Sequence, residues 1–150
     1  MNVQNEIPAF MNQTAIFSPV FAMLLLTLVV WVYMYSRRIP FIRKNDFGPD
    51  ELTPAEFTRL SPPEVANPSD NLKNLFEIPV IFYVLAIYLF ATDHVDNTHL
   101  ISSWVFVVFR VLHSAVHCTI NIVMLRFCLY LISTLCVALI ACRAALQHLG

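Results

Sequence analysis

The sequence predicts an all-α membrane protein, a four-transmembrane-helix antiparallel bundle. Three observations predict it. Of 150 residues, 58% are hydrophobic and 13% charged, against about 25% charged in an ordinary soluble domain. Four apolar segments are each long enough to cross about 30 Å of hydrocarbon at 1.5 Å per residue. The connections between the second and third and between the third and fourth are short, which favours up-down-up-down packing.

The first segment runs from about 15 to 36, without the basic flank or short apolar core of a signal peptide. A polar stretch, 37–70, follows. Within it TPAEF predicts a short helix capped by Thr53, with Pro54 at the first and Glu56 at the third helical position. The second segment, about 71–92, is expected to be capped by Ser69 or Asp70. The third covers about 99–121 and the fourth about 124–149. The whole chain, 1–150, reads as a single domain. Its two glycines, Gly48 and Gly150, lie outside the spans, so close GxxxG helix contacts are excluded. Cys118, Cys128, Cys136 and Cys142 form no CxxC motif and are expected to act as small buried hydrophobes.

Charge sets orientation. Arg37, Arg38, Arg43, Lys44 and Arg59 lie between spans one and two, and Lys73 and Arg126 at helix ends on the same side. Glu6, Asp93, Asp96 and Arg143 lie on the other. Both termini are therefore expected in the periplasm or lumen, with 37–70 in the cytoplasm. A net charge of −1 offers no basic face for phosphates and excludes nucleic acid as a partner.

Polar residues inside the spans carry the functional signal, because an ionised group in hydrocarbon costs about 2.5–3.5 kcal/mol on insertion scales. Asn74 and Glu77 are three apart and are expected to share one face of span two. Arg110, His113 and His117 line one face of span three at i, i+3 and i+7. Arg126 and Tyr130 are four apart at the cytoplasmic end of span four. Five cationic or potentially cationic groups (Lys73, Arg110, His113, His117, Arg126) surround one carboxylate, Glu77. One reading is a structural network in which Glu77 pairs with Arg110 or Arg126. The other is a pocket for an anionic ligand. His113 and His117 have metal-pair spacing, but the neighbouring arginines oppose a cation, and no metal is expected.

NLKNLFE in span two, RVLHSAVH in span three and RFCLY opening span four resemble the MAPEG family, membrane-associated proteins of eicosanoid and glutathione metabolism. The form NLFEIPVIFY is similar to its bacterial branch. The resemblance covers essentially the whole chain. It implies a homotrimer in a bilayer, glutathione as co-substrate between subunits near the cytoplasmic face, and an apolar second substrate. It assigns Asn74 and Glu77 to glutathione contact, with Arg110, His113 and His117 beside them. Arg126 would hold the thiolate and Tyr130 would supply an aromatic hydroxyl one turn later. Arg38 and Lys73 would meet glutathione carboxylates. Asp70 stands where the eukaryotic enzymes carry an arginine. The function implied is a glutathione-dependent transferase or peroxidase acting on apolar electrophiles or lipid hydroperoxides. The alternative is a non-catalytic lipid- or ligand-binding protein of the same fold. The location implied is a bacterial inner membrane with both termini periplasmic.

Overall fold

A computed structural model describes residues 12–48 and 51–149; Glu6 and Gly150, used in the sequence reading, lie outside them. A short 3-10 turn, Gln13–Ile16, leads into α1 (Phe17–Lys44). Then follow α2 (Pro54–Leu60), α3 (Pro63–Asn74), α4 (Ile78–Ala91), α5 (Asn97–Cys118) and α6 (Val123–Leu149). There is no strand among the described residues. Four helical stretches are long and apolar enough to cross a membrane: Gln13–Lys44, Pro63–Ala91, Asn97–Cys118 and Val123–Leu149. The fold is the expected four-span helical bundle.

Three local expectations need correction. First, α1 runs eight residues past 36, to Lys44. The basic run RRIPFIRK ends the apolar stretch without ending the helix: α1 carries Pro40 in its interior and stops only at Asn45 and the left-handed Asp46 (φ 53°). Second, α3 begins at Pro63 behind Pro62, so Ser69 and Asp70 lie inside a helix and cap nothing. Much of 37–70 is therefore helical, and the capping box on Thr53 and Glu56 is present as read from the sequence. Third, span two is not continuous. α3 ends at Asn74 and α4 starts at Ile78, with Glu77 between them at φ −98°, ψ −101°. Pro79 contributes to the break: it has no N–H to donate to the Leu75 carbonyl, and its ring would crowd that group in an unbroken helix, whereas Pro40 and Pro68 are accommodated inside α1 and α3. Asn74 and Glu77 therefore flank a break and do not share a helix face.

The core lies along the bundle axis, where Ile16, Met23, Leu75, Phe82, Leu89, Phe106 and Ile140 are buried. Phe82 and Phe106 meet at 4.8 Å between α4 and α5. Large apolar side chains such as Leu25, Val84 and Leu135 point outward, as they do where the surroundings are lipid. The cysteines follow the same logic. Cys128 and Cys142 are exposed and Cys118 and Cys136 half-buried, so none is the buried hydrophobe the sequence suggested. In a bilayer the outer face is as apolar as the inside, and hydrophobicity alone does not assign a side.

α5 and α6 form the most extensive helix pair. A turn joins them at one end, and Asp96 clasps them at the other. Asp96 Oδ1 accepts from the His99 amide at 2.9 Å as the α5 cap, and Oδ2 accepts from Arg143 Nη2 at 2.6 Å and Gln147 Nε2 at 3.3 Å on α6. Burial pushes the Asp96 carboxyl up, but the Arg143 hydrogen bond, the His99 amide and the nearby positive charge outweigh it and hold it below its ordinary 3.8. A depressed folded-state pKa adds stability that is complete above the unfolded value and is lost as pH falls through the folded one. Asp96→Asn keeps a capping side chain and removes the charge. It is expected to lower stability in detergent by about 1 kcal/mol at neutral pH. The gap to wild type should close as the solution is taken below pH 3.8, checked by thermal melts across pH.

Candidate active site

The α5–α6 hairpin and the break in span two bring the polar residues together. On α5, the i, i+3, i+7 spacing turns Arg110, His113 and His117 inward, and all three are buried, Arg110 completely. On α6, Arg126 and Tyr130 are half-buried on the face opposite. Asn74 enters as the last residue of α3. Asn74, His113, Val123, Arg126, Phe127 and Tyr130 line one cleft of about 210 Å³.

Arg110 lies over the ring of Tyr130, 4.5 Å from its centroid, with the Phe106 ring at 5.5 Å. None of its three guanidinium nitrogens has a hydrogen-bond partner. The rings give it a cation–π surface, and the Tyr130 oxygen and the Glu77 carboxylate attract it without coming within hydrogen-bond distance. Tyr130 reaches past it and donates to Glu77 Oε2 at 3.3 Å. Glu77 itself is exposed and forms no ion pair with either Arg110 or Arg126. The direct Glu77–arginine ion pair of the structural network does not form within the chain; Tyr130 stands between Glu77 and Arg110 instead.

His113 has a defined tautomer. Its Nδ1 lies 3.0 Å from the Arg126 carbonyl oxygen, which only accepts, so Nδ1 carries the proton. A neutral His113 ring then presents a bare lone pair at Nε2, which is buried and without a partner. His117 stands edge-on to His113, 5.5 Å between centroids, and its Nδ1 is 3.5 Å from the Asn74 amide nitrogen, at the outer limit of a hydrogen bond. Arg126 donates through Nη1 to Asn121 Oδ1 at 2.7 Å. The site thus holds two guanidiniums without a carboxylate on either, a lone pair on His113 and a phenol.

Two expected contributors stand apart. Lys73 is exposed and bridged to Asp70 at 2.9 Å. Arg38 stacks on Phe57 at 4.4 Å. Both line a different cleft, of about 220 Å³, between α1, α2 and α3. Within one chain neither joins Arg126 and His113.

The MAPEG family profile matches residues 16–146. The chain belongs to the MAPEG family. Neither a curated protein nor a solved structure matches it. With its four apolar helices, this makes the chain an integral, multi-pass MAPEG protein, in a family whose members generally use glutathione and act in glutathione-related or lipid metabolism at the membrane.

Sequence reasoning missed several residues around this cleft. Asn71, fully buried on α3, accepts from Ser114 Oγ at 3.3 Å, and its amide lies 3.5 Å from Cys118 Sγ. This fixes α3 against α5 beside Asn74. Asn121 and Asn67, joined at 3.0 Å, lie beside Arg126. Asn71 opens the NLKNLFE motif three residues before Asn74, and that spacing was the signal that could have found it; Asn67 and Asn121 stand in no such pattern.

Replacing a buried, unsatisfied charge with an apolar side chain of similar size is often neutral or stabilising by about 1–4 kcal/mol. Arg110→Met is therefore expected to melt at or above the wild-type temperature while losing affinity for an anionic ligand. A loss of stability of about 3 kcal/mol or more, as when a true ion pair is broken, would mean that Arg110 holds the bundle together.

Proposed function

We propose that this protein is a membrane glutathione-dependent transferase or peroxidase acting on apolar electrophiles or lipid hydroperoxides. The observation that carries the reading is the cleft of Asn74, His113, Arg126 and Tyr130, next to the acceptor-less guanidinium of Arg110. A region with two cations and only an exposed carboxylate nearby suits an incoming anion, and a thiolate is one.

A free thiol has a pKa of about 8.5 and is mostly protonated at neutral pH. Lowering that by one unit takes about 1.4 kcal/mol of preferential thiolate stabilisation. Arg126 supplies a guanidinium at the edge of the bundle, and the N-terminus of α6 adds partial positive charge. Tyr130 can turn its hydroxyl from Glu77 to the sulfur, which leaves Glu77 for the glutathione ammonium. His113 Nε2 is an acceptor for the thiol proton, and Asn74 and His117 offer polar contacts to the peptide. The thiolate then attacks an electrophilic carbon arriving from the bilayer, forming a carbon–sulfur bond as the leaving group departs. With a hydroperoxide it attacks the distal oxygen and releases the alcohol, and a second glutathione resolves the sulfenic acid to disulfide and water.

In this reading the protein is a homotrimer, with Arg38 and Lys73 of a neighbouring subunit available to the glutathione carboxylates. The cleft faces the cytoplasm of a bacterial inner membrane and both termini are periplasmic. Residues 1–150 form the single domain.

One observation favours the second reading, a non-catalytic MAPEG-fold protein that binds a lipid or another ligand. Lys73 is tied to Asp70, so the cation nearest the place of the family arginine is already neutralised. Conjugation of glutathione to a general electrophile in detergent or nanodiscs separates the two. The proposed function predicts turnover, with Arg126→Ala at least about tenfold slower, equivalent to one unit of thiol pKa, and correctly folded. Absence of turnover in the wild-type protein would leave the binding protein as the answer.

A further inference from the structure

Arg126 is a long, flexible side chain at the end of a helix, and something must hold its guanidinium toward the cleft. A carboxylate is the usual partner, but it would cancel the charge the site needs. Here the partner is an amide. Asn121 Oδ1 accepts from Arg126 Nη1 at 2.7 Å, and Asn121 Nδ2 donates to Asn67 Oδ1 at 3.0 Å. Both ends of the Asn121 amide are thus committed, and the Arg126 guanidinium, which only donates, fixes which end is oxygen.

Three further facts point the same way. Asn121 sits in the α5–α6 turn with φ 46°, a left-handed conformation that asparagine tolerates better than most residues. Its backbone N–H donates to the Val116 carbonyl at 2.8 Å, which closes the end of α5 and sets where the side chain emerges. Asn67 lies on α3, the helix that ends at Asn74, so the chain of amides ties Arg126 to another wall of the same cleft.

We infer that Asn121, braced by Asn67, is a positioning residue that aims the Arg126 guanidinium into the cleft while leaving its charge uncancelled. The inference rests on the proposed role of Arg126 in holding a thiolate.

The test uses the full-length protein in detergent with saturating glutathione. The thiolate absorbance of bound glutathione is titrated against pH, and a thermal melt is recorded for each variant. Asn121→Gly removes the amide and keeps a residue at ease with positive φ. Asn67→Ala leaves the turn backbone intact, so a folded variant remains even if the first is unstable. Asn121→Asp holds Arg126 but neutralises it. Wild type should show a thiol pKa below that of free glutathione. Asn121→Gly should raise it by roughly one unit, leaving about a tenth of the thiolate at neutral pH. Asn67→Ala should raise it less and Asn121→Asp more, without parallel losses in melting temperature. If wild type lowers the pKa and the variants match it, whatever their melting temperatures, Asn121 is only a turn residue and the positioning role is overturned while the proposed function stands. If wild-type protein does not lower the pKa, the proposed function fails and the inference with it.

Discussion

An arginine without an acceptor inside an apolar bundle is held against a cost of several kcal/mol, and Arg110 occupies that position in this chain. The surrounding structure is organised to tolerate it. Two aromatic rings cover the guanidinium. The α5–α6 hairpin that carries it is joined by a turn at one end and clasped by Asp96 at the other, which keeps Arg110, His113, Arg126 and Tyr130 in register. The nearest acidic residue of span two, Glu77, stops short of an ion pair. A bundle selected for stability alone would have closed that pair or filled the position with leucine. The unsatisfied charge makes sense as part of a binding surface for an anion.

The break in span two contributes to this arrangement. Pro79 disfavours a continuous helix; Asn74 ends one segment and Glu77 precedes the next. Because the helix stops there, Asn74 can turn its amide toward His117, while Glu77 is left at the surface within reach of the Tyr130 hydroxyl. In an unbroken helix the two side chains would sit side by side on one face. The proline favours this local chain conformation, and the polar geometry of the site follows from the break.

How much of this was legible in the sequence depends on the type of signal. The four spans were readable because hydrophobic runs of membrane length have few alternatives. The inward faces of α5 and α6 were readable because Arg110, His113 and His117, and then Arg126 and Tyr130, recur at helical spacing among apolar neighbours. The capping box at Thr53 was readable because its two hydrogen bonds are local. Helix ends were not, since the RRIPFIRK run leaves the apolar region without leaving the helix, and Pro63 started α3 well before the apolar segment began. The pairing of Lys73 with Asp70 and the amide chain from Asn67 through Asn121 to Arg126 depend on which rotamers the packing selects, and no periodicity records that. The outward cysteines were misassigned for a simpler reason: in a bilayer an apolar side chain fits equally well inside or outside.

The central claim is that the cleft recognises negative charge at the ligand's sulfur end. It is tested most directly by comparing the affinities of two glutathione derivatives, measured calorimetrically on the detergent-solubilised protein. Glutathione sulfonate carries an anion at the sulfur position, and S-methylglutathione carries a neutral thioether of similar size. The account predicts that the sulfonate binds at least about tenfold more tightly, equivalent to about 1.4 kcal/mol. Equal affinities, or preference for the thioether, would contradict it.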